Sequence, residues 1–237
     1  MSSASEYLIW TPQVRWSLRW VQAILDTSAG APLVRHIRLR DRRTRNRWYT
    51  AVDASPWGLG GVLFDRHIVV AAFEDRVQPD DIERLKIRIG DHRSQSLLEA
   101  LAVLVALRLF APVSGWGKGM MARLGLRSDS KAALGAAINQ ASKTSMMNAI
   151  GAEIAYDLGT GEYQVAFFSH TEGVANVSPD WLSRRWAPLG PEGPKGRPSV
   201  LDGVRMLEVP VRGPAFWRTW AGPPVQEASS GSQDTRL

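Results

Sequence analysis

The sequence contains no cysteine. That absence excludes disulfides and thiolate metal sites, and it is compatible with a reducing intracellular setting, cytoplasm or nucleus. No stretch approaches the roughly 20 apolar residues of a membrane helix, so no membrane partner is expected. The opening segment, MSSASEYLIWTPQ, lacks a basic region followed by an apolar run, so no secretory leader is expected. There is no internal repeat. The glycines at 58, 60 and 61 do not form a GxGxxG pattern and no helix follows them directly, which argues against a dinucleotide loop. They read better as turn and close-packing residues.

What is present suits a folded domain with a polyanionic partner. Apolar residues make up 44% of the 237, enough for one sizeable core plus appendages. The formal net charge is +6, which by itself favours nucleic acid only weakly. Its distribution says more, because residues 34–48 (VRHIRLRDRRTRNRW) hold seven arginines against one acid, Asp41. Such a strip is either a solvated connector or a phosphate-contacting surface.

Thr11 and Pro12 open a helical pattern carried by Val14, Leu18, Val21 and Leu25. From residue 48 the pattern turns to strands: 48–55, 58–64 and 67–74, joined closely enough for an antiparallel meander. A short helix is expected around PDDIERLKI. A strongly apolar helix over 94–111, with Ser94 as its cap, should be buried nearly all round. A strand over 122–130, two helices, a strand over 162–170 and a short helix starting at Pro179 complete the pattern. Beyond Arg185 the chain is rich in Pro and Gly. An apolar island, VRMLEVPVRGPAFWRTW, interrupts that stretch before a final segment with a disordered composition.

Three parts follow: a helical and basic connector over 1–47, the main domain over 48–187, and a Pro/Gly-rich tail over 188–237, partly disordered. The element order of the middle part, β-β-β-α-β-α-α-β-α, predicts an α/β fold. Its mixed sheet should have five strands, three antiparallel and then parallel additions, flanked by helices.

Four acids sit where apolar packing alone would not place them. Asp53 lies in the first strand, Glu99 inside the apolar helix, Asp129 at the end of the fourth strand, and Asp180 in the last helix. Singly, each has an ordinary explanation as a hydrogen-bonded or partly exposed carboxylate. Together they form a set that a mixed sheet can bring to one place. Clustered carboxylates raise one another's pKa, and divalent cations resolve that conflict. Oxygen-only ligands suit Mg²⁺, with Mn²⁺ able to substitute. Two such ions about 3.5–4 Å apart would activate a water and stabilise the leaving oxygen of a phosphodiester.

The residues around these acids carry a resemblance. DAS in the first strand, LLEALAVLVAL in the first long helix, LRSDSKAAL, and SHTEGVANVSPDWLSRRW together resemble the ribonuclease H domain of retroelement (LTR/DIRS-like) reverse transcriptases. The resemblance covers about residues 48–186 and implies a ribonuclease H-like fold. It implies that Asp53, Glu99, Asp129 and Asp180 hold two Mg²⁺ ions and cut the RNA strand of RNA–DNA hybrids. It also implies that His170 shuttles a proton or helps product leave, whereas His36, His67 and His92 have no such setting. Ser55, Ser130, Lys131, Asn176 and Arg184 lie beside the acids and are candidate contacts to the hybrid backbone. Each has an alternative as a cap, turn or solvated residue.

Pro179 departs from the small residue that usually precedes the last aspartate, and residues 75–92 have no role in this reading. The polymerase half is missing, and the only Asp-Asp pair, in QPDDIE, lacks a polymerase context. A reverse transcriptase polymerase domain on this or another chain is therefore a candidate partner. Two alternatives stand beside the nuclease: an inactive domain of the same fold that binds nucleic acid or supports a polymerase, and a related-fold transposase or integrase. The latter use an Asp-Asp-Glu order, whereas here the glutamate comes second.

Overall fold

In the computed structural model, the described residues are 47–114, 122–140, 144–188 and 196–219, with helical positions 18, 19, 21–23 and 25. Most of the N-terminal helix and of the arginine strip lies outside them. Leu18, Val21 and Leu25 of that helix are exposed. Arg47, the last arginine of the strip, pairs with Asp65 and lies over the Trp48 ring.

Strand β1 (Trp48–Ala54) is the centre of the sheet. It runs antiparallel to β2 (Gly58–Asp65), which pairs antiparallel with β3 (Ile68–Arg76). On its other side β1 pairs in parallel with β4 (Ala122–Ser128), and β4 in parallel with β5 (Tyr163–His170). Three antiparallel strands and two parallel additions are the mixed α/β arrangement expected of a ribonuclease H-like fold. Among the described residues the sheet has six strands rather than the expected five. Arg205–Met206 forms a short β6 that pairs in parallel with β3 at Ala71–Ala72, giving the order β5-β4-β1-β2-β3-β6.

Helix α1 (Pro79–Leu85) forms where the PDDIERL pattern predicts it. A capping box between Gln78 and Asp81 starts it, with proline in the first turn, where its missing N–H costs nothing. Helix α2 (Gln95–Phe110) is buried on nearly every side, as its Leu- and Ala-rich sequence requires. Ser94 makes no side-chain capping bond, contrary to expectation. A single 3₁₀ turn, His92–Ser94, precedes the helix instead, and Asp91 caps that turn by accepting from the Arg93 amide. α2 packs with α3 (Lys131–Asn139) and α4 (Ser145–Thr160) on one face of the sheet, over Val52, Leu63, Phe73, Leu124 and Leu126. Helix α5 (Val177–Ser183) crosses the other face, where Leu182 meets Ala51 and Val62. It starts two residues before Pro179.

The division of the chain at residue 188 does not follow the packing. Residues 196–219 run back over the domain: Leu201, Phe216 and Trp217 are buried in its two cores. Buried ion pairs fasten this strap. Arg212 reaches Asp75 and Asp81, while Thr219 binds Glu153, which also pairs with Arg108. The apolar island inside the tail is thus a docked part of the fold. Among the described residues no helix is long and apolar enough to cross a membrane.

Candidate active site

Parallel pairing sets the site. Val52 lies opposite Ser128, so the next residue on each strand, Asp53 on β1 and Asp129 just past β4, arrives at the same end of the sheet. Asp53 is 6% exposed. Across the antiparallel pair its neighbour is Gly60. A Cβ at Gly60 would stand 2.5 Å from the Pro179 carbonyl oxygen and 2.6 Å from the Ser183 nitrogen. Glycine there lets the backbone of α5 lie directly on β2, which brings Asp180 and Ser183 beside Asp53. From the opposite face α2 supplies Glu99. The helix is tied to the strand end by Gln95, whose Nε2 donates to the Ala54 carbonyl oxygen at 2.5 Å and to Glu99 Oε1 at 3.2 Å.

These groups are close enough to act on one another electrostatically. Burial pushes the Asp53 carboxyl up to about 7; a hydrogen bond from Ser183 opposes that, and the charges of Asp129, Asp180 and Glu99 add to it. Burial also raises Asp129, with Asp180 adding to the effect and His170 working against it. Asp129 Oδ1 is buried with no hydrogen-bond partner.

A divalent cation fits this donor set in kind. The donors on offer are hard carboxylate oxygens, one of them an orphan, around a carboxyl whose ionisation burial and like charge oppose. Among the described residues, however, no three Asp, Glu or His side chains form a ready cage. Each acid but Asp129 is turned to a local partner. Ser183 Oγ donates to Asp53 Oδ2 at 2.6 Å, Arg184 Nε to Asp180 Oδ1 at 2.6 Å, and Gln95 to Glu99. The Arg184–Asp180 pair is half exposed and spans the last turn of α5 to its cap, a geometry worth about 0.3–0.5 kcal/mol. If the acids take up a divalent cation, Arg184→Ala is expected to tighten its binding about twofold in a calorimetric titration.

The loop between β5 and α5 is fastened at both ends. The Thr171 amide donates to the Ser128 carbonyl oxygen at 3.0 Å, and Asn176 Nδ2 donates to the Val52 carbonyl oxygen at 3.0 Å. His170 is exposed, and its Nε2 stands 3.0 Å from the Asp129 carbonyl oxygen, which fits a proton on that nitrogen. Gly173 packs beside Asp129, where a Cβ would lie 3.4 Å from Oδ2.

No family model and no curated protein matches the chain. Solved structures similar to it include two ribonucleases H1. Ribonuclease H1 from the halophilic archaeon Halobacterium salinarum NRC-1 is 16% identical with a TM-score of 0.44, covering 59% of this chain and 96% of that one. LC11 ribonuclease H1 in complex with an RNA/DNA hybrid is 15% identical with a TM-score of 0.42, covering 57% and 91%. The fold class stands on this chain's own strand order and pairing, and the site on its own geometry.

Of the ten candidate residues, the structure brings Asp53, Glu99, Asp129, Asp180 and His170 to one end of the sheet. Three of the five proposed substrate contacts are turned inward. Ser55 is buried; its hydroxyl donates to the Ser183 carbonyl oxygen at 2.7 Å and accepts from the Gly58 amide at 3.1 Å. Ser130 caps α3 by accepting from the Ala133 amide at 3.2 Å. Asn176 is buried against β1, and its carbonyl oxygen accepts from the Asp180 amide. These are structural roles, set by the need to satisfy buried polar groups. Lys131 is exposed at the start of α3, and Arg184 is half exposed beside Asp180. Ser183 escaped the sequence reading: a serine in a helix gives no sign of a partner 130 residues away.

Proposed function

We propose that this chain is a Mg²⁺-dependent endoribonuclease that hydrolyses the RNA strand of RNA–DNA hybrids. One observation carries the reading. Asp53, Glu99, Asp129 and Asp180 come from two strands and from helices on both faces of the sheet, yet three of them lie closely enough to act on the fourth, Asp53. Keeping four acids in this setting, with one carboxylate oxygen orphaned, destabilises the unliganded fold and suits a site for cations.

Asp53, Glu99, Asp129 and Asp180 would hold two Mg²⁺ ions, with Mn²⁺ able to substitute. Bound there, such ions supply an activated water and charge compensation at the scissile phosphate. The chain's own groups do the rest. Rigid β1 and β4 fix Asp53 and Asp129, while α2 and α5 carry Glu99 and Asp180 to them. His170, anchored through Nε2, keeps its other ring nitrogen to carry a proton at the exposed edge of the site. Lys131 and, once it leaves Asp180, Arg184 offer cations to the phosphates on either side. Water's oxygen bonds to phosphorus and the bond to the 3′-oxygen breaks, leaving a 5′-phosphate and a 3′-hydroxyl.

The order Asp-Glu-Asp-Asp supports this reading over a transposase or integrase. The DAS and LSR sequences support an origin in a retroelement reverse transcriptase, with a polymerase domain as partner. The test is incubation of the full chain with labelled RNA–DNA hybrid, duplex DNA and duplex RNA, in Mg²⁺ or EDTA. Mg²⁺-dependent cutting of the hybrid's RNA strand is expected, reduced about 1,000-fold or more in Asp129→Asn, equivalent to about 4 kcal/mol of barrier. Hybrid binding without cleavage, equal in wild type and variant, would establish the non-catalytic alternative.

A further inference from the structure

We infer that Ser183 is a positioning residue that sets the first acid of the site, Asp53, against the last, Asp180. This rests on the proposed cation site and assigns to it a buried residue that acts through Asp53. Ser183 is fully buried at the end of α5. Its Oγ lies 2.6 Å from Asp53 Oδ2 and 2.9 Å from the Asp180 carbonyl oxygen. A hydroxyl has one proton to give, and the shorter, charge-assisted contact to the carboxylate takes it. One Asp53 oxygen is thereby fixed, and the direction of the other is fixed with it.

The serine itself is held from two further sides. Its carbonyl oxygen accepts from Ser55 Oγ at 2.7 Å, which ties it to the turn after β1. Its nitrogen lies over Gly60, where any Cβ would be 2.6 Å away. Ser55, Gly60 and Ser183 therefore form one support that joins β1, β2 and α5 behind the carboxylates. Because Asp180 is three residues earlier on the same helix, the support sets the spacing of two proposed cation ligands on separate elements. Partners of this kind commonly contribute 10–100-fold in metal affinity or activity when removed.

The experiment compares wild type, Ser183→Ala and Ser183→Thr as full chains, with Asp129→Asn as reference. Mn²⁺ binding is followed by calorimetry, and cleavage of a labelled RNA–DNA hybrid by the Mg²⁺ concentration at half-maximal rate and the KM for hybrid. Ser183→Ala is expected to weaken Mn²⁺ binding and raise the Mg²⁺ requirement about 10-fold or more, with KM for hybrid unchanged and the folded circular-dichroism spectrum retained. Ser183→Thr, which keeps the hydroxyl, is expected to recover most of the loss. Unchanged Mn²⁺ affinity in a folded Ser183→Ala protein overturns the inference. So does an equal loss in the threonine variant with its fold intact. If wild type binds Mn²⁺ without cutting any hybrid, the nuclease reading fails, while a weaker affinity in Ser183→Ala still upholds the positioning role.

Discussion

Asp53→Asn is expected to abolish hybrid cleavage and, in the cation-free protein, to make the fold more stable above pH 7. The second effect is unusual for an active-site change and follows from the carboxyl's setting. Its ordinary value is 3.8, and burial with three neighbouring acids pushes it up to about 7. Between those values the folded chain keeps a proton that the unfolded chain releases. Stability therefore falls as pH rises through this window, and the contribution is fully present only below about pH 4. A shift of about three pKa units corresponds to about 4 kcal/mol. Asparagine is uncharged throughout and still offers an oxygen to Ser183, so it escapes this loss. Chemical denaturation of chelator-treated protein at pH 4.5, 6 and 8 checks it. Wild type should lose stability across the series, and the variant should lose less, since Asp129 retains a smaller effect of the same sign. Mg²⁺ at pH 8 should restore the wild type and leave the variant nearly unmoved. Parallel pH curves for the two proteins would show that Asp53 ionises normally.

The same residue shows how much the sequence disclosed. Asp53 and Asp129 were legible because each interrupts or ends an apolar strand pattern, and burying a carboxylate there needs a reason. Glu99 was legible for the same reason within a helix that is otherwise almost wholly apolar. The order of elements and the mixed sheet followed from short connections and strand–helix alternation, whereas the order of strands across the sheet did not. The surroundings of the acids were less legible. Ser55, Ser130 and Asn176 were chosen for nearness along the chain, but nearness does not fix which way a side chain turns. All three turn inward, because the backbone groups beside them would otherwise be buried without partners. Ser183 and Gly60 act through contacts between β1, β2 and α5 that only the folded chain creates. The sixth strand has two residues, too few to leave a periodic signal. The strap was obscured by the Pro/Gly-rich stretch before it, whose composition suggests a linker whatever lies beyond.

Arg212→Ala is expected to cost about 3–5 kcal/mol, more than any single change at the proposed active site. Arg212 is fully buried. Its Nε donates to Asp81 Oδ1 at 2.8 Å and its Nη2 to Asp81 Oδ2 at 2.7 Å, while Nη1 binds Asp75. Nη2 also reaches the Arg76 carbonyl oxygen at 3.0 Å, and the Arg212 amide donates to Gln78 Oε1 at 2.8 Å. Truncation leaves Asp81, itself fully buried, as a charge with no cation beside it, and that uncompensated charge is the main cost. For a domain of this size the melting temperature should fall by roughly 6–20 °C. The strap should loosen with it, since Arg212 lies between its two buried anchors, Leu201 and Phe216–Trp217. Limited proteolysis should then cut within 196–219 before the rest of the chain. The double variant Arg212→Ala/Asp81→Asn separates charge from packing. If the stranded carboxylate is the cause, the double variant is more stable than Arg212→Ala alone, although Asp81 also receives the Gln78 amide in the cap of α1. A loss below about 0.5 kcal/mol in Arg212→Ala would mean that the strap is held by its apolar anchors and that the buried arginine only fixes its register.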